Sequence, residues 1–374
     1  MARAGLESSW DCAFANDFSL MKASAYCANW GGEHFRLEDV NKLTSMDLPG
    51  FADLAWASFP CQDLSLAGIS AGLGTQESQT RSGAFWAFWK LIHGLALECR
   101  PPSIIVLENV YGAITSSQGR DFGTICSVMV NGGYSVGAMV IDASLFVPQS
   151  RPRLFIFGVR QDIELPTELL ASDPNPNWHP PAMELAVAKM PDKIRNHWFW
   201  LNVKRPARTD STLSRIVECD SSDVAWNSPS ETAALIGKMS RTNLAKLNRM
   251  KELGKQTFGT IYRRTRMGKD GRAAVMAELR DDGIAGCLRT PGGGSSRQFL
   301  IEVIGDSIRS RLITAREAAR LMGLTDQYKL PPRYNDAYHV MGDGVVVPVV
   351  TFVDQQILQP ILLANEMSAR EAAE

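Results

Sequence analysis

Three places in the first half of the chain carry side chains that do chemistry. Cys61 stands in the segment SFPCQ, directly after an apolar run, and a cysteine at such a point is a candidate nucleophile. Glu108 ends the run SIIVLE, where loss of solvent raises a carboxyl pKa and lets the group act as an acid. Arg151 and Arg153 flank Pro152. Two guanidiniums at this spacing on an extended chain point the same way and hold an anion or a carbonyl together.

Each of these positions also has a structural interpretation when taken alone. A free cysteine is usually a buried core residue. A carboxyl after a strand is often a helix cap or half of a salt bridge, and an arginine pair at a strand edge is often solvated. The choice depends on whether the folded chain brings the three positions together.

Alternating strand and helix patterns place the three positions. Apolar or β-branched runs predict strands at residues 51–59 and 103–110, and helical spacing predicts helices at 21–30, 83–99 and 124–133. Strands alternating with helices predict a mostly parallel, doubly wound α/β sheet with helices on both faces. Such sheets bind ligands outside the carboxyl ends of their strands, so we expect the three positions to lie close together.

Composition describes an ordinary folded chain. The 374 residues are 45% hydrophobic and 21% charged, and no run reaches the roughly 18 uninterrupted apolar residues of a membrane helix. The seven cysteines include no CxxC pair and have no histidine-rich neighbours, so neither a metal site nor a disulfide framework is predicted. The N-terminus lacks a secretory pattern, and we expect a cytoplasmic protein without a membrane partner.

Pattern and charge divide the chain into three regions. Residues 1–160 hold the strand and helix alternation, residues 161–290 lack a sustained period, and residues 291–374 return to apolar helices. We therefore predict a catalytic domain, a smaller irregular recognition domain and a segment that completes the first domain. Residues 238–280 carry twelve Lys or Arg against three Asp or Glu, a net charge of +9 in a chain of −1. This stretch predicts contact with nucleic-acid phosphates, although a solvated basic face has the same composition.

The motifs and their order resemble one family. SFPCQDLSLAG is similar to the Pro-Cys-Gln nucleophile motif of the DNA (cytosine-5) methyltransferases, VLENV to their Glu-Asn-Val motif and PQSRPRLFIFG to their Gln-x-Arg-x-Arg motif. TAREAARLMGLTD resembles the late helix that packs the recognition region, and MGDGVVVPVV resembles the closing motif, usually Gly-Asn-x-Val-x-Pro. The resemblance covers nearly the whole chain apart from the variable middle. It implies a Rossmann-like methyltransferase sheet and S-adenosylmethionine as the methyl donor.

The resemblance assigns roles to the three chemical positions. Cys61 is expected to add to carbon 6 of a cytosine flipped out of duplex DNA, which places electron density on carbon 5. Glu108 is expected to hold or protonate ring nitrogen 3, and Arg153 to steady the base carbonyl. Gln149 and Arg151 are expected to support the surrounding loop.

Cofactor and DNA residues follow from the same resemblance. Asp17 matches the acid that binds the ribose hydroxyls, Phe18 the ring that stacks on adenine, and Asp39 the acid that contacts adenine. The other residues expected at the cofactor are Val40, Pro60, Asp343 and Val345, and those expected at DNA are Gln62, Ser65, Arg263, Arg264, Arg266 and Arg297. No metal is required. The implied partners are duplex DNA and a cognate restriction endonuclease, for a monomer of bacterial or phage origin.

Two features depart from the family pattern. The chain begins at MARAGL without the strand and Phe-x-Gly-x-Gly turn that hold the methionine part of the cofactor, so we expect an upstream start or a decayed copy. Asp343 stands where the family usually has Asn, and a carboxylate accepts hydrogen bonds without donating them. Three alternatives stay open: a DNA-binding remnant without catalysis, an RNA cytosine-5 methyltransferase of the transfer-RNA type, and a nicotinamide oxidoreductase with Cys61 as redox thiol. The lack of a GxGxxG motif disfavours the last.

Overall fold

The computed structural model describes residues 1–7, 9–59, 83–218, 224–267, 271–290 and 297–371. Its strands are β1 (Ala15–Asp17), β2 (Phe35–Leu37), β3 (Leu54–Ser58), β4 (Ile104–Val110), β5 (Tyr134–Asp142), β6 (Pro152–Arg160), β7 (Leu170–Ala171), β8 (Trp200–Leu201), β9 (Thr257–Met267), β10 (Ala273–Arg280), β11 (Phe299–Ile304) and β12 (Ser307–Leu312). Its helices are α1 (Ala2–Leu6), α2 (Leu20–Trp30), α3 (Gly83–Leu97), α4 (Arg120–Asn131), α5 (Pro181–Ala188), α6 (Asp192–Arg195), α7 (Pro229–Ile236), α8 (Arg241–Glu252), α9 (Ala315–Leu321), α10 (Tyr334–Asp343), α11 (Val347–Val353) and α12 (Gln359–Glu371).

The central sheet has the strand order β3-β4-β6-β5. β3 runs parallel to β4, whereas β6 runs antiparallel to both β4 and β5. The prediction of a mostly parallel sheet is therefore wrong for these strands, and the sheet is mixed. Only the nine residues 143–151 connect β5 to β6. A parallel pair needs a crossover of about a dozen residues or more, so this short connection requires antiparallel pairing.

Both faces of the central sheet are covered. Along β4, Ile104 and Val106 face one hydrophobic core, and Ile105 and Leu107 face another, because side chains alternate along a strand. The first core contains residues of α1, α9, α10 and α11, and the second contains residues of α3, α4 and α5. Helices therefore cover both faces, as the sequence predicts.

A second, two-stranded sheet carries the first predicted acid. β1 pairs with β2 in parallel, and α2 connects the two strands. Ser19 caps the N-terminus of α2, and Gly31 follows its last residue with a φ of 75°, a conformation that glycine adopts without strain. Within the described residues this sheet shares no strand with the central one.

The later part of the chain builds an antiparallel sheet in the order β10-β9-β11-β12. α7 and α8 pack on it through Leu235, Leu247 and Met250 around Ile261. Part of the region predicted to be irregular is thus a regular sheet covered by two helices. The sheet continues to Leu312, beyond the boundary expected at residue 290, and the division into domains stays a prediction.

One helical run, residues 334–366, is long and apolar enough to cross a membrane by composition. Half of its most apolar window is buried inside the protein. Val350, Val353, Ile357 and Ile361 belong to the core on one face of the central sheet. These contacts are those of a core helix.

Candidate active site

Glu108 and Arg153 meet near the end of β4. Glu108 lies opposite Ser58 on β3 and Phe155 on β6, and the residue is 6% exposed. Arg153 is the second residue of β6, and its Nε lies 3.3 Å from Glu108 Oε1. Two separate sequence motifs thus meet in one largely buried ion pair, which the sheet holds in place.

Burial raises the pKa of Glu108 above its ordinary value. The effect of burial outweighs the charges of Arg153 and Arg151 and a hydrogen bond from Ser58, all of which lower the pKa of Glu108. A carboxyl in this environment keeps its proton to a higher pH than an exposed one. Glu108 is therefore suited to act as a proton donor at a pH where an exposed carboxyl is already ionised.

Asn109 ties β4 to the segment that carries Cys61. Its Nδ2 donates to the Phe59 carbonyl at 3.1 Å, and its Oδ1 accepts from the Val110 amide at 2.8 Å. The predicted residues Pro60, Cys61, Gln62 and Ser65 lie within 60–82, outside the described residues. Sequence reasoning gave Asn109 no role of its own, and its place beside Glu108 in one motif was the available signal.

Gln149 and Arg151 hold later parts of the chain against the arginine motif. Arg151 is 2% exposed and donates at 2.7 Å to each of three backbone carbonyls, those of Leu288, Gly342 and Gly344. Gln149 is fully buried; its Nε2 donates to the Leu321 carbonyl at 2.8 Å and its Oε1 accepts from the Leu288 amide at 2.9 Å. Both side chains bind backbone of the later segments, and their role in the reaction stays a prediction.

Cys287 lies between the two arginines. Arg151 Nη1 donates to its Sγ at 3.3 Å, and Arg153 Nη2 donates to it at 3.8 Å. The two guanidiniums therefore converge, but Arg151 is committed to backbone carbonyls and only Arg153 reaches Glu108 as an ion pair. Sequence reasoning missed Cys287, since no recognisable motif surrounds it.

Two of the predicted cofactor acids gather around α2. Asp17 ends β1, and its Oδ1 accepts from the Ser19 amide at 2.8 Å. Lys22 lies 3.9 Å from Asp17 Oδ2 and 2.9 Å from Oδ2 of Asp343, the last residue of α10. Phe18 is 78% exposed beside Asp17. An exposed ring next to partly buried carboxylates fits an adenosyl group, which offers a flat base and hydroxyl donors. Lys22 was missed, because its sequence neighbours mark it only as a helical residue.

Asp39 and Val40 follow β2 in a short turn. Asp39 caps the turn Val40–Lys42, and its Oδ1 accepts from the Asn41 amide at 2.9 Å. These bonds from Asn41 lower the pKa of Asp39, so the group is a carboxylate at neutral pH. Val40 is half-buried and Val345, in the closing segment, is buried.

A cleft of about 550 Å³ lies beside the arginine motif. Ser150, Pro152 and Cys287 line one part of it. The β9–β10 hairpin lines another through Tyr262, Arg264, Arg266, Glu278 and Arg280, and Lys246 and Arg289 add two cations that sequence reasoning did not single out. The cleft is therefore mainly basic and adjoins the Arg151–Cys287–Arg153 contacts.

The arginines predicted to contact DNA do not all face this cleft. Arg264 and Arg266 face it, and both pair with Glu278, the first at 3.2 Å. Arg263 lies on the opposite face of β9, with its guanidinium 5.0 Å from the centre of the Phe299 ring. Arg297 stands over the Tyr334 ring at 5.4 Å, outside the cleft lining. In the described part of the chain no three His, Cys, Asp or Glu side chains form a group fit for a metal ion.

Comparison with known proteins gives the family of the chain. The family model of the C-5 cytosine-specific DNA methylases matches residues 2–359, and the chain belongs to that family. The type II methyltransferase M.SsoII of Shigella sonnei is 24% identical over 93% of this chain and 74% of its own length. The DNA-cytosine methyltransferase of Escherichia coli strain K12 is 24% identical over 99% and 78%. The type II methyltransferase M.HhaI of Haemophilus parahaemolyticus is 24% identical over 93% and 87%.

Solved structures agree on the fold. The Dnmt2 methyltransferase of S. pombe superposes with a TM-score of 0.55 at 16% identity, covering 96% of this chain and 95% of its own. A putative DNA modification methyltransferase encoded within an E. coli prophage gives a TM-score of 0.55 at 17% identity, covering 97% and 95%. At these identities the likeness shows the fold alone.

Proposed function

We propose that this chain is a DNA (cytosine-5) methyltransferase, which transfers a methyl group from S-adenosylmethionine to carbon 5 of a cytosine in a specific duplex sequence. The observation that carries the proposal is the buried Glu108–Arg153 pair, which lies opposite the end of β3, just before the segment that holds Cys61. The family and the names of its relatives support the reaction class. The central sheet then serves as a Rossmann-like cofactor-binding sheet.

The reaction needs a nucleophile because carbon 5 of cytosine alone is too weakly nucleophilic to accept a methyl group. The Cys61 thiolate adds to carbon 6, and electron density shifts onto carbon 5. Glu108 holds a proton at ring nitrogen 3, and Arg153 hydrogen-bonds the base carbonyl and stabilises the developing charge. Once the methyl group is on carbon 5, the carbon-5 proton leaves, the bond from sulfur to carbon 6 breaks and the thiolate returns.

S-adenosylmethionine supplies an electrophilic methyl group when bound. Asp17 accepts hydrogen bonds from ribose hydroxyls, and the exposed Phe18 ring stacks on the adenine. Asp39 and Val40 contact the adenine. Pro60, Asp343 and Val345 complete the set of cofactor residues.

The basic cleft receives DNA. Arg264 and Arg266 face it and contact phosphates or base edges, and Gln62 and Ser65 follow the nucleophile on the chain. The target cytosine leaves the base stack to reach Cys61. Because two of the named relatives, from Shigella sonnei and Haemophilus parahaemolyticus, are type II methyltransferases, we infer a bacterial cytoplasmic enzyme with a cognate restriction endonuclease as functional partner.

Duplex DNA that contains 5-fluorocytosine tests the nucleophile. Fluorine cannot leave carbon 5 as a proton does, so the adduct with Cys61 persists after methyl transfer. With a random-sequence duplex library and S-adenosylmethionine, we expect a complex stable to denaturing electrophoresis from the wild type and from the exposed control Cys99→Ser. Cys61→Ser is expected to form none, and a complex from that variant would assign the nucleophile elsewhere. An adduct that forms only on fluorinated RNA would replace DNA by RNA as the substrate.

A further inference from the structure

Lys22 links two carboxylates that come from opposite ends of the chain. It is the third residue of α2, which follows β1 and its last residue Asp17. Its Nζ lies 2.9 Å from Asp343 Oδ2 at the end of α10, and 3.9 Å from Asp17 Oδ2. The motifs that suggested the cofactor residues include Asp17 and Asp343 and leave out Lys22.

The three groups form a defined cluster. The Lys22, Asp17 and Asp343 side chains are 32%, 29% and 39% exposed, so solvent reaches them only in part. Burial alone would raise the pKa of Asp343, but hydrogen bonds from Thr290 and Lys22 bring it below its ordinary value. Asp343 is therefore a carboxylate at neutral pH, and the position where the family usually has a neutral Asn carries a charge that Lys22 balances.

We propose that Lys22 is a positioning residue of the cofactor site, which holds Asp343 toward Asp17 and sets the charge that a bound sulfonium meets. The inference rests on the proposed function, because it takes Asp17 and Asp343 as cofactor residues. Two carboxylates and one ammonium leave a net charge of −1 on the cluster. S-adenosylmethionine carries a positive sulfonium, whereas its demethylated product, S-adenosylhomocysteine, carries a neutral thioether. The charge of the cluster is therefore expected to change the relative affinity of the site for S-adenosylmethionine and S-adenosylhomocysteine.

The wild type and three variants are expected to rank by the charge of the cluster in their relative affinity for methyl donor and product. Lys22→Met leaves a cluster charge of −2, Asp343→Asn leaves 0, and the double variant returns to the −1 of the wild type. The ratio of the dissociation constants, product over methyl donor, is expected to be highest in Lys22→Met, lowest in Asp343→Asn and equal within about twofold in the wild type and the double variant. Each single step is expected to be about threefold to tenfold, the effect of one partly screened unit charge.

Isothermal titration calorimetry with each ligand, in the absence of DNA and at one pH, measures these ratios. Using ratios removes any loss of affinity that both ligands share, so a merely structural defect does not imitate the expected order. Thermal melting of each variant shows that it is folded.

Two further variants serve as matched controls. Lys251, on α8, has a side chain that is also 32% exposed. Its Nζ lies 3.5 Å from Oδ1 of a single aspartate, Asp306. Lys251→Met is expected to leave both dissociation constants unchanged. Lys22→Arg keeps the charge and is expected to keep the wild-type ratio.

Three results would overturn the inference while leaving the proposed function in place. They are an unchanged ratio in Lys22→Met, a ratio in Asp343→Asn that moves in the same direction as in Lys22→Met, and a double variant that keeps the Lys22→Met ratio. Should Lys22→Met fail to fold, the double variant compared with Asp343→Asn still isolates the effect of Lys22, and equal ratios in these two proteins would overturn the inference. A wild-type chain that binds neither ligand would instead contradict the proposed function itself.

Discussion

The burial and the raised pKa of Glu108 were foreseeable from its sequence position, whereas its ion-pair partner was not. Its place after an apolar strand predicts a desolvated carboxyl with a raised pKa, and the structure agrees on both points. Its ion pair with Arg153 was not predictable from spacing, because β6 joins β4 only through the fold of the sheet. The resemblance to a family supplied the roles that physical reasoning about single residues left open.

The raised pKa of Glu108 makes stability depend on pH. Between its unfolded and folded pKa values the folded state binds more protons, so Glu108 lowers the free energy of unfolding as pH rises through that window. We expect Glu108→Gln to gain stability over the wild type as pH rises from 5 to 7.5, by up to about 1.4 kcal/mol per pH unit inside the window. Urea denaturation at several pH values measures the difference.

Glu231 provides a control of opposite sign. Hydrogen bonds from Ser228 in the cap of α7 lower the pKa of this exposed carboxyl, so it stabilises the fold above its unfolded pKa and loses that effect in acid. Glu231→Gln is expected to be less stable than the wild type at pH 7.5, with the difference shrinking in acid. A stability difference for Glu108→Gln that is constant with pH would show that Glu108 has an ordinary pKa.

At the scale of elements, the β9–β10 hairpin sorts the basic residues by face. Tyr262, Arg264 and Arg266 alternate with Ile261 and Arg263 along β9, so the first group lines the cleft while Ile261 enters a core. The net positive charge of this stretch is evident from the sequence. Which arginines lie on which face of the sheet is not, because a run with so many arginines does not show the apolar alternation of a strand.

The alternation of side chains along β9 predicts that neighbouring arginines contribute unequally to DNA binding. Arg264→Ala removes a cation from the cleft and is expected to weaken DNA binding about tenfold and to reduce the slope of log affinity against log salt by about 1. Arg263→Ala, on the opposite face over Phe299, is the matched control and is expected to keep the wild-type salt slope. Fluorescence anisotropy with a labelled duplex at several salt concentrations measures both. Equal slopes for the two variants would place the DNA outside the cleft.

The strand order of the central sheet marks another limit of sequence reasoning. The patterns at 51–59 and 103–110 correspond to β3 and β4, which are parallel as expected. The run RLFIFGVR was expected to be a strand, but the antiparallel direction of β6 was not predicted, because its apolar run looks like that of any other buried strand. Only the short connection from β5, residues 143–151, carries the information on direction.

At the scale of the whole molecule, the two ends of the chain meet. α1 packs against α11, and the Thr351 hydroxyl donates to the Gly5 carbonyl at 3.0 Å. Arg151 binds the carbonyls of Gly342 and Gly344 in the same closing segment. The late segment therefore supports both the first helix and the arginine motif. The contact between α1 and α11 was not predicted from the sequence, since nothing in residues 1–7 indicates a partner so far along the chain.

The contact between the chain ends predicts the effect of a single methyl group. A Cβ added at Gly5 would lie 2.5 Å from Val350 Cβ and 2.8 Å from the Val347 carbonyl oxygen, both closer than real contacts. Gly5→Ala is expected to cost about 1–3 kcal/mol in the free energy of unfolding. Gly123→Ala in α4 is the control, because its nearest contact is 3.9 Å, and it is expected to be neutral or to gain about 0.5–1 kcal/mol. Chemical denaturation that finds equal effects would place α1 away from α11.

The most direct test of the proposed function is methyl transfer from tritiated S-adenosylmethionine to unmethylated duplex DNA, with the product identified after digestion to nucleosides. We expect the wild type to incorporate the label as 5-methylcytosine. We also expect a loss of about a hundredfold or more in Glu108→Gln while DNA binding is kept. Methyl groups found on an exocyclic amine, full activity of Glu108→Gln, or no transfer by a chain that binds both donor and DNA would contradict the proposed function.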